Sequence, residues 1–343
     1  MNIKSLLLGS AAAVAAVSGA QAADAIVAAS PEPVEYVRVC DAFGTGYFYI
    51  PGTETCLKIG GYVRFEVQWN DENDAKNWNA RTRGLVSFQT KTDTEYGALG
   101  STVTMRTWAE GDYNGGSVEL DEALITLGGF KAGYGYNYWD NDLSGETDDL
   151  GSNRTNMIGY DYTGSSFSAG LFVDELTKRY SEGTSAGYTG SNDGVGIEGQ
   201  ISGAFGPVSA TLLGGYDFHV NDGSIRGIAT ADIGPGTFGL AAIYSSGANA
   251  YYDLGEWTVA AQYAAKLTDK FTLTPGFQYW GKTAYGADGD FGGPDAWRAG
   301  VTLDYKIVEG LTSKVSVQYT DTDNSGWSYN DGWSGFVRLQ RTF

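Results

Sequence analysis

Between Tyr138 and Asn156 the chain reads YWDNDLSGETDDLGSNRTN, setting Asp140, Asp142, Glu146, Asp148 and Asp149 against one cation, Arg154. Carboxylates this close could ligate a divalent ion, serve as paired acid and base, or create an electric field. Calcium is the first possibility. Asp140-x-Asp142-x-Ser144-Gly145 opens like a calcium loop, as does Asp321-x-Asp323-x-Ser325-Gly326, but the twelfth positions are Gly151 and Gly332 where a bidentate Glu is required. No helices flank either run, so no metal is assigned. Glycosidase chemistry needs two carboxyls rigidly spaced in a cleft, whereas these crowd one loop. His219 is the sole histidine, which excludes multi-histidine metal sites and histidine-based triads; a hydrogen-bonded wall residue is expected there. No phosphate-binding or nucleotide fingerprint occurs in a strand-to-helix context. The chain reads as a non-enzyme without cofactors. What remains is a field, which needs cations held opposite the acids.

The elements that would hold them are strands. Over Leu57–Asn70 the odd positions are Leu, Ile, Gly, Val, Phe, Val and Trp, and the even ones Lys, Gly, Tyr, Arg, Glu, Gln and Asn. Strict alternation of this length means a strand with one apolar and one polar face. The device recurs to the chain end, through Ala80–Lys91, Leu99–Glu110, Val118–Gly128, Gly129–Trp139, Met157–Thr163, Ser166–Asp174, Val195–Phe205, Val208–Val220, Ser224–Ile233, Thr237–Ser245, Glu256–Lys266, Phe271–Trp280, Ala296–Lys306, Leu311–Asp321 and Trp333–Phe343. These sixteen segments mostly approach the ~9–11 residues of a tilted membrane strand. Tight Gly-Pro connections alternate with long ones (Glu175–Asp193, Gly281–Asp295, Thr322–Gly332), as in an outer-membrane barrel. Tyr and Trp gather near strand ends, where interfacial girdles belong. On this reading Arg64, Arg81, Arg83, Arg106 and Arg338 form a basic lumen wall facing the acidic loop. A simpler alternative pairs each arginine with a neighbouring acid such as Glu66 or Glu122.

Composition agrees. The 343 residues carry a net charge of −19, the wrong sign for a nucleic-acid partner. Fifty Gly and 23 Tyr suit strands and turns. A mean hydropathy of −0.24 does not exclude a membrane, because barrel strands average apolar and polar faces. Residues 1–22 read as a secretory signal, with Lys4, the apolar run Leu6–Val17 and the cleavage site Ala20-Gln21-Ala22. Residues 23–56 form an N-terminal segment, and 57–343 the barrel. In an exported chain Cys40 and Cys56 most simply form one disulfide.

Two runs make the resemblance specific: EYVRVCDAFG over 35–44 and CLKIGGYVRF over 56–65. They resemble the start of alphaproteobacterial outer-membrane porins of the Brucella and Rhizobium type, and the terminal Phe343 resembles the aromatic end of porin assembly signals; Arg341 departs from their alternation. The resemblance implies an all-β, sixteen-stranded antiparallel transmembrane barrel, a homotrimer in the bacterial outer membrane, whose third long loop (138–156) folds into the lumen. Implied partners are lipid, lipopolysaccharide, and small hydrophilic solutes and ions. The net charge favours cations and the arginine wall pulls the other way, so a weak preference for cations is expected. Two rival readings stand beside it. One is a sugar-selective channel with Tyr62, Trp108 and Trp280 on the lumen wall; the other is a secreted all-β binding protein.

Overall fold

The computed structural model describes residues 37–72, 75–110, 118–176, 194–286, 289–323 and 327–343. The candidate signal (1–22), residues 23–36, Ser325, Gly326 and most of the Glu175–Asp193 loop lie outside them. The chain divides after Arg38, and Val39–Phe343 forms one compact unit. Among the described residues sixteen long strands close into a barrel. In chain order they are β1 (Cys56–Glu72), β2 (Ala75–Thr92), β3 (Leu99–Glu110), β4 (Glu119–Leu127), β5 (Phe130–Tyr136), β6 (Arg154–Thr163), β7 (Phe167–Leu176) and β8 (Gly194–Phe205). The second half comprises β9 (Val208–Asp217), β10 (Asp222–Ile233), β11 (Gly236–Ser245), β12 (Trp257–Lys266), β13 (Phe271–Gly281), β14 (Ala296–Val308), β15 (Leu311–Thr322) and β16 (Gly332–Thr342).

Every neighbouring pair is antiparallel, and β16 returns to β1 through the register Arg338↔Glu66 and Gln340↔Arg64. Phe343 completes the seam: its N–H donates to Gly61 O at 3.0 Å, and Gly61 N–H donates back at 3.1 Å. Closure leaves no sheet edge, so backbone groups are satisfied where no water can reach them.

The alternation determines which face is which. Val63, Phe65, Ile125, Ile158, Leu171, Ile201, Leu212, Ile225, Leu240, Val259, Phe277 and Leu339 are exposed, whereas Glu66, Thr104, Glu198, Arg226, Gln278 and Arg298 are buried. Apolar side chains outside and polar ones inside is the inverse of a water-soluble sandwich. Aromatic pairs mark both rims of this apolar band. Trp257–Tyr279 (5.3 Å) and Tyr319–Trp333 (5.3 Å) lie at one, and Phe271–Tyr305 (4.3 Å) and Tyr162–Phe167 (5.4 Å) at the other.

At the tight turns Gly206 and Gly234 adopt φ of +64° and +60°, which the following Pro207 and Pro235 cannot supply. The carbonyls of those prolines accept from Asp232 N–H and Lys266 N–H, both at 3.1 Å, and so tie each turn to the next. A disulfide joins Cys40 to Cys56, the first residue of β1 (Cα–Cα 6.0 Å), and both are buried with Tyr47.

Several boundaries differ from the alternation pattern for local reasons. β5 stops at Tyr136 rather than Trp139, and β6 resumes at Arg154, because Asn137 N–H donates to Asn153 O (3.0 Å) and closes the neck of the loop. β9 stops at Asp217 rather than Val220. There the Asp217 carboxylate accepts from the N–H of His219 (2.9 Å) and Val220 (3.4 Å) and turns the chain. The register between β3 and β4 shifts between Thr104 and Met105, leaving Asp121 as the extra residue of a bulge. Asp121 and Glu122 are thereby both drawn off the apolar face.

Candidate pore site

The register builds one charged row across six strands. Asp304, Lys314, Arg338, Glu66, Arg81 and Glu110 are successive partners on β14, β15, β16, β1, β2 and β3. Glu66, only 1% exposed, is its keystone: it takes Arg81 Nη2 at 2.6 Å on one side and Arg338 Nε at 2.5 Å on the other. Such charge-assisted forks fix both guanidiniums. Lys314 Nζ stands 3.4 Å from Asp304 and 2.7 Å from Glu146.

One step along the strands lies a second row, Gln340, Arg64, Arg83 and Trp108. Among the described residues neither Arg64 nor Arg83 has a carboxylate within ion-pair distance. Arg64 Nε donates to Gln340 Oε1 (2.8 Å), and its guanidinium lies 4.8 Å from the centre of the Tyr62 ring. Arg83 lies over Tyr62 (5.7 Å) and Trp108 (5.1 Å), and Arg81 over Trp108 (4.4 Å). Arg106 belongs to a separate cluster with Glu119 (3.1 Å), Asp121 (3.1 Å) and the Tyr136 hydroxyl (3.2 Å), and Arg154 joins it through Asp121 (2.8 Å). The five candidate arginines thus separate: Arg81, Arg338 and Arg106 are paired, while Arg64 and Arg83 carry charge without an acid. Glu122 is not an arginine partner; its carboxylate accepts from the Thr104 hydroxyl at 3.3 Å.

The five acids separate as well. Glu146 alone meets the basic wall, through Lys314 and Arg338 Nη1 (3.3 Å). Asp142 accepts from Leu150 N–H (3.0 Å) and Asp148 from Leu143 N–H (2.9 Å), so the Asp-x-Asp spacing folds the loop on itself. Asp149 accepts from Gly151 N–H (3.1 Å) and the Tyr329 hydroxyl, and Asp140 from the Ser152 hydroxyl (2.5 Å). Burial pushes Asp142 up to about 8, with Asp149 and Asp148 adding to the effect, and burial likewise raises Asp148.

Loop 137–153 is held on the polar face of the opposite wall. Arg226 on β10, 1% exposed, donates from Nη1 to the carbonyls of Trp139 (2.8 Å) and Leu150 (2.9 Å) and from Nη2 to that of Tyr138 (2.8 Å). Gln278 on β13 copies a strand partner: Oε1 accepts from Asp149 N–H (2.6 Å) and Nε2 donates to Asp149 O (2.8 Å). Gln262 on β12 does the same for Gly145 N–H (2.8 Å) and the Ser144 hydroxyl (2.7 Å). Glycines make room: a Cβ at Gly276 or Gly300 would come within 2.9 or 2.8 Å of Thr147. Gly133 on β5, at φ +130°, lies against the neighbouring strand: a Cβ there would come within 2.1 Å of the Ala123 carbonyl of β4.

A second connection, residues 246–256, was missed as a structural element by the sequence reading. It buries Asn249, Tyr251, Tyr252 and Leu254, and joins Trp139, Leu143, Leu150, Trp280 and Trp327 in one apolar cluster. Asn153 Nδ2 donates to Ala250 O (2.5 Å), and the Tyr251 hydroxyl to Asp174 (2.8 Å). Asp253 on this loop is pushed up to about 7 by burial, with Asp149 adding to the shift. Its clue was the aromatic pair Tyr251-Tyr252 between two alternating strands. Arg226 also had a signal: among the described residues no other arginine lies in a strand between Arg154 and Arg298. Of the three aromatics weighed as a sugar surface, Tyr62 and Trp108 hold guanidiniums and Trp280 is wholly buried.

A closed barrel with an apolar exterior, a polar interior and a loop bound across that interior defines a transmembrane channel. The pattern of the porin subfamily matches residues 24–336. Outer membrane protein IIIA of Rhizobium leguminosarum bv. viciae is 49% identical over 98% of this chain and 93% of that protein. Porin Omp2a of Brucella canis is 35% identical over the full length of both. Among solved folds, the outer membrane channel DcaP of Acinetobacter baumannii superimposes with a TM-score of 0.65 at 13% identity, covering 86% of this chain and 99% of that one. The trimer form of Vibrio cholerae OmpT gives 0.59 at 14%, covering 85% and 100%. The chain belongs to the porin subfamily, and it is an outer-membrane passive-diffusion channel.

Proposed function

We propose that small hydrophilic solutes and ions cross at a waist between loop 137–153 and the wall of β16, β1, β2 and β3. The contact of Glu146 with Lys314 and Arg338 carries this reading, since it brings the loop to the far wall. The passage then runs beside Arg64 and Arg83, which among the described residues have no carboxylate within ion-pair distance, with Asp140 and Glu146 on the loop side. Opposite charges held apart orient water and polar solutes, and apolar solutes must displace that water. The remaining acids build the loop rather than the field.

The chain is exported through a cleaved signal over residues 1–22 and works as a homotrimer embedded in lipid and lipopolysaccharide. Divalent ions bridge its acidic outer loops to headgroups. A trimer form of the similar OmpT fold supports the assembly. The deciding experiment is planar-bilayer conductance of the refolded protein in a salt gradient, with and without Glu146→Gln. The expectation is ohmic channels inserting in threes, and a reversal potential that moves toward anions in the variant. An unmoved reversal potential would take Glu146 out of the waist.

A further inference from the structure

Outside the charged row the lumen wall changes character. Continuing along the same strands, the next register rows are Phe336, Gln68 and Asn79, then Gln318, Ser334, Asn70 and Asn77. These residues line a cavity of about 490 Å³, within the roughly 300–1,000 Å³ of small-molecule sites. No lining side chain is charged. Among the described residues the side chains of Gln68, Asn70, Gln318 and Ser334 make no hydrogen bond to protein. That is unusual beside a wall where Gln262, Gln278 and Gln340 are all engaged. The charged row beneath is paired through Glu66, and Arg338 lies 4.3 Å from the centre of the Phe336 ring.

We propose that the cavity lined by Gln68, Asn70, Gln318, Ser334 and Phe336 is a vestibular binding site for neutral polyhydroxylated solutes, the sugar and polyol class. The Gln68 and Asn70 amides each offer donors and an acceptor within one group, whereas Gln318 Oε1 is buried without a partner among the described residues and leaves its amide donors to the cavity. Together they match hydroxyls, which both donate and accept, and give an ion no complementary charge. The Phe336 ring lines the cavity beside the charged row, with the Arg338 guanidinium over it. The site stands one row from the waist, so an occupied vestibule concentrates solute where the field begins and obstructs ion flow. Tyr62, Trp108 and Trp280 take no part in it.

The inference rests on the channel reading, and the test separates the two. Ion current through the refolded full-length protein is recorded in potassium chloride while sucrose is added, with a polyethylene glycol of equal hydrodynamic size as control. Absence of channels in plain salt would sink the channel reading itself. With channels present, the expected result is a saturable reduction of current by sucrose and only a linear, viscosity-like reduction by the glycol. Replacing Gln68, Asn70 and Gln318 together by Leu is expected to raise the half-saturating sucrose concentration at least tenfold (about 1.4 kcal/mol) and to preserve the conductance in plain salt. Linear reduction by both solutes in the unmodified protein overturns the site without recourse to any variant. So does saturation unchanged by the triple replacement.

Discussion

Glu66 is where residue chemistry is most consequential, because one buried carboxylate separates two guanidiniums that would otherwise face each other. Glu66→Gln keeps the shape and removes the charge. It is expected to cost about 2–4 kcal/mol, at or below the figure for a fully buried pair because Arg81 is partly exposed, and to shift selectivity toward anions. Urea unfolding in lipid vesicles and the reversal potential would check both; an unchanged unfolding midpoint would mean the arginines are held by their aromatic platforms instead. Asp142 makes a pH prediction. Its carboxyl is raised to about 8 in the fold against an unfolded value near 3.8, so the native state binds the proton more tightly. Its contribution is complete at low pH and is lost as pH rises from about 4 through 8. Asp253 adds the same sign up to about 7. The thermal midpoint should therefore fall between pH 5 and pH 9, and Asp142→Asn should make that slope shallower, with Asp253 and Asp148 carrying what remains; an equally steep slope in the variant would remove Asp142 as a source.

At the scale of elements, the loop over 137–153 is an acidic segment whose position is determined by strands far from it in sequence. The stretch was legible because its length and charge fit neither core nor turn. Its docking was not, since Arg226, Gln262 and Gln278 look like ordinary lumen residues until the barrel closes. The loop over 246–256 escaped notice for a related reason: its Tyr251 and Tyr252 pack on Trp139 rather than on any local partner. The candidate arginines were found by alternation alone, but their pairing depends on register between β16 and β1, the two ends of the barrel sheet. Arg226→Gln tests the docking. It removes three hydrogen bonds from a charged donor, each worth about 1.5–3 kcal/mol, and frees the loop from β10. Single-channel recordings should show higher conductance with added open-channel noise, whereas a quiet channel of unchanged conductance would mean the aromatic cluster alone holds the loop.

For the whole molecule, all sixteen long strands were readable because period-two alternation is imposed everywhere by the same pair of solvents. The pattern fails only where a local group overrides it, as at Asp121, Asn137 and Asp217. The pattern by itself leaves open which solvent touches the apolar face. A sandwich would bury Leu240, while the barrel leaves it 43% exposed near the middle of β11, with Ala229 and Ala261 as its register partners. If water lay outside, Leu240→Arg would relieve an exposed apolar side chain and cost almost nothing. With lipid outside, an arginine near the midplane costs roughly 2–4 kcal/mol. The variant should therefore fold into vesicles with a markedly lower urea midpoint and yet leave the reversal potential unchanged, since the lumen is untouched. Equal midpoints for the variant and the parent protein in vesicles would contradict a lipid-facing β11. A shifted reversal potential would instead place Leu240 on the wrong face of the wall, and with it the inside-out assignment that puts Arg64, Arg83 and Glu66 around the solute path.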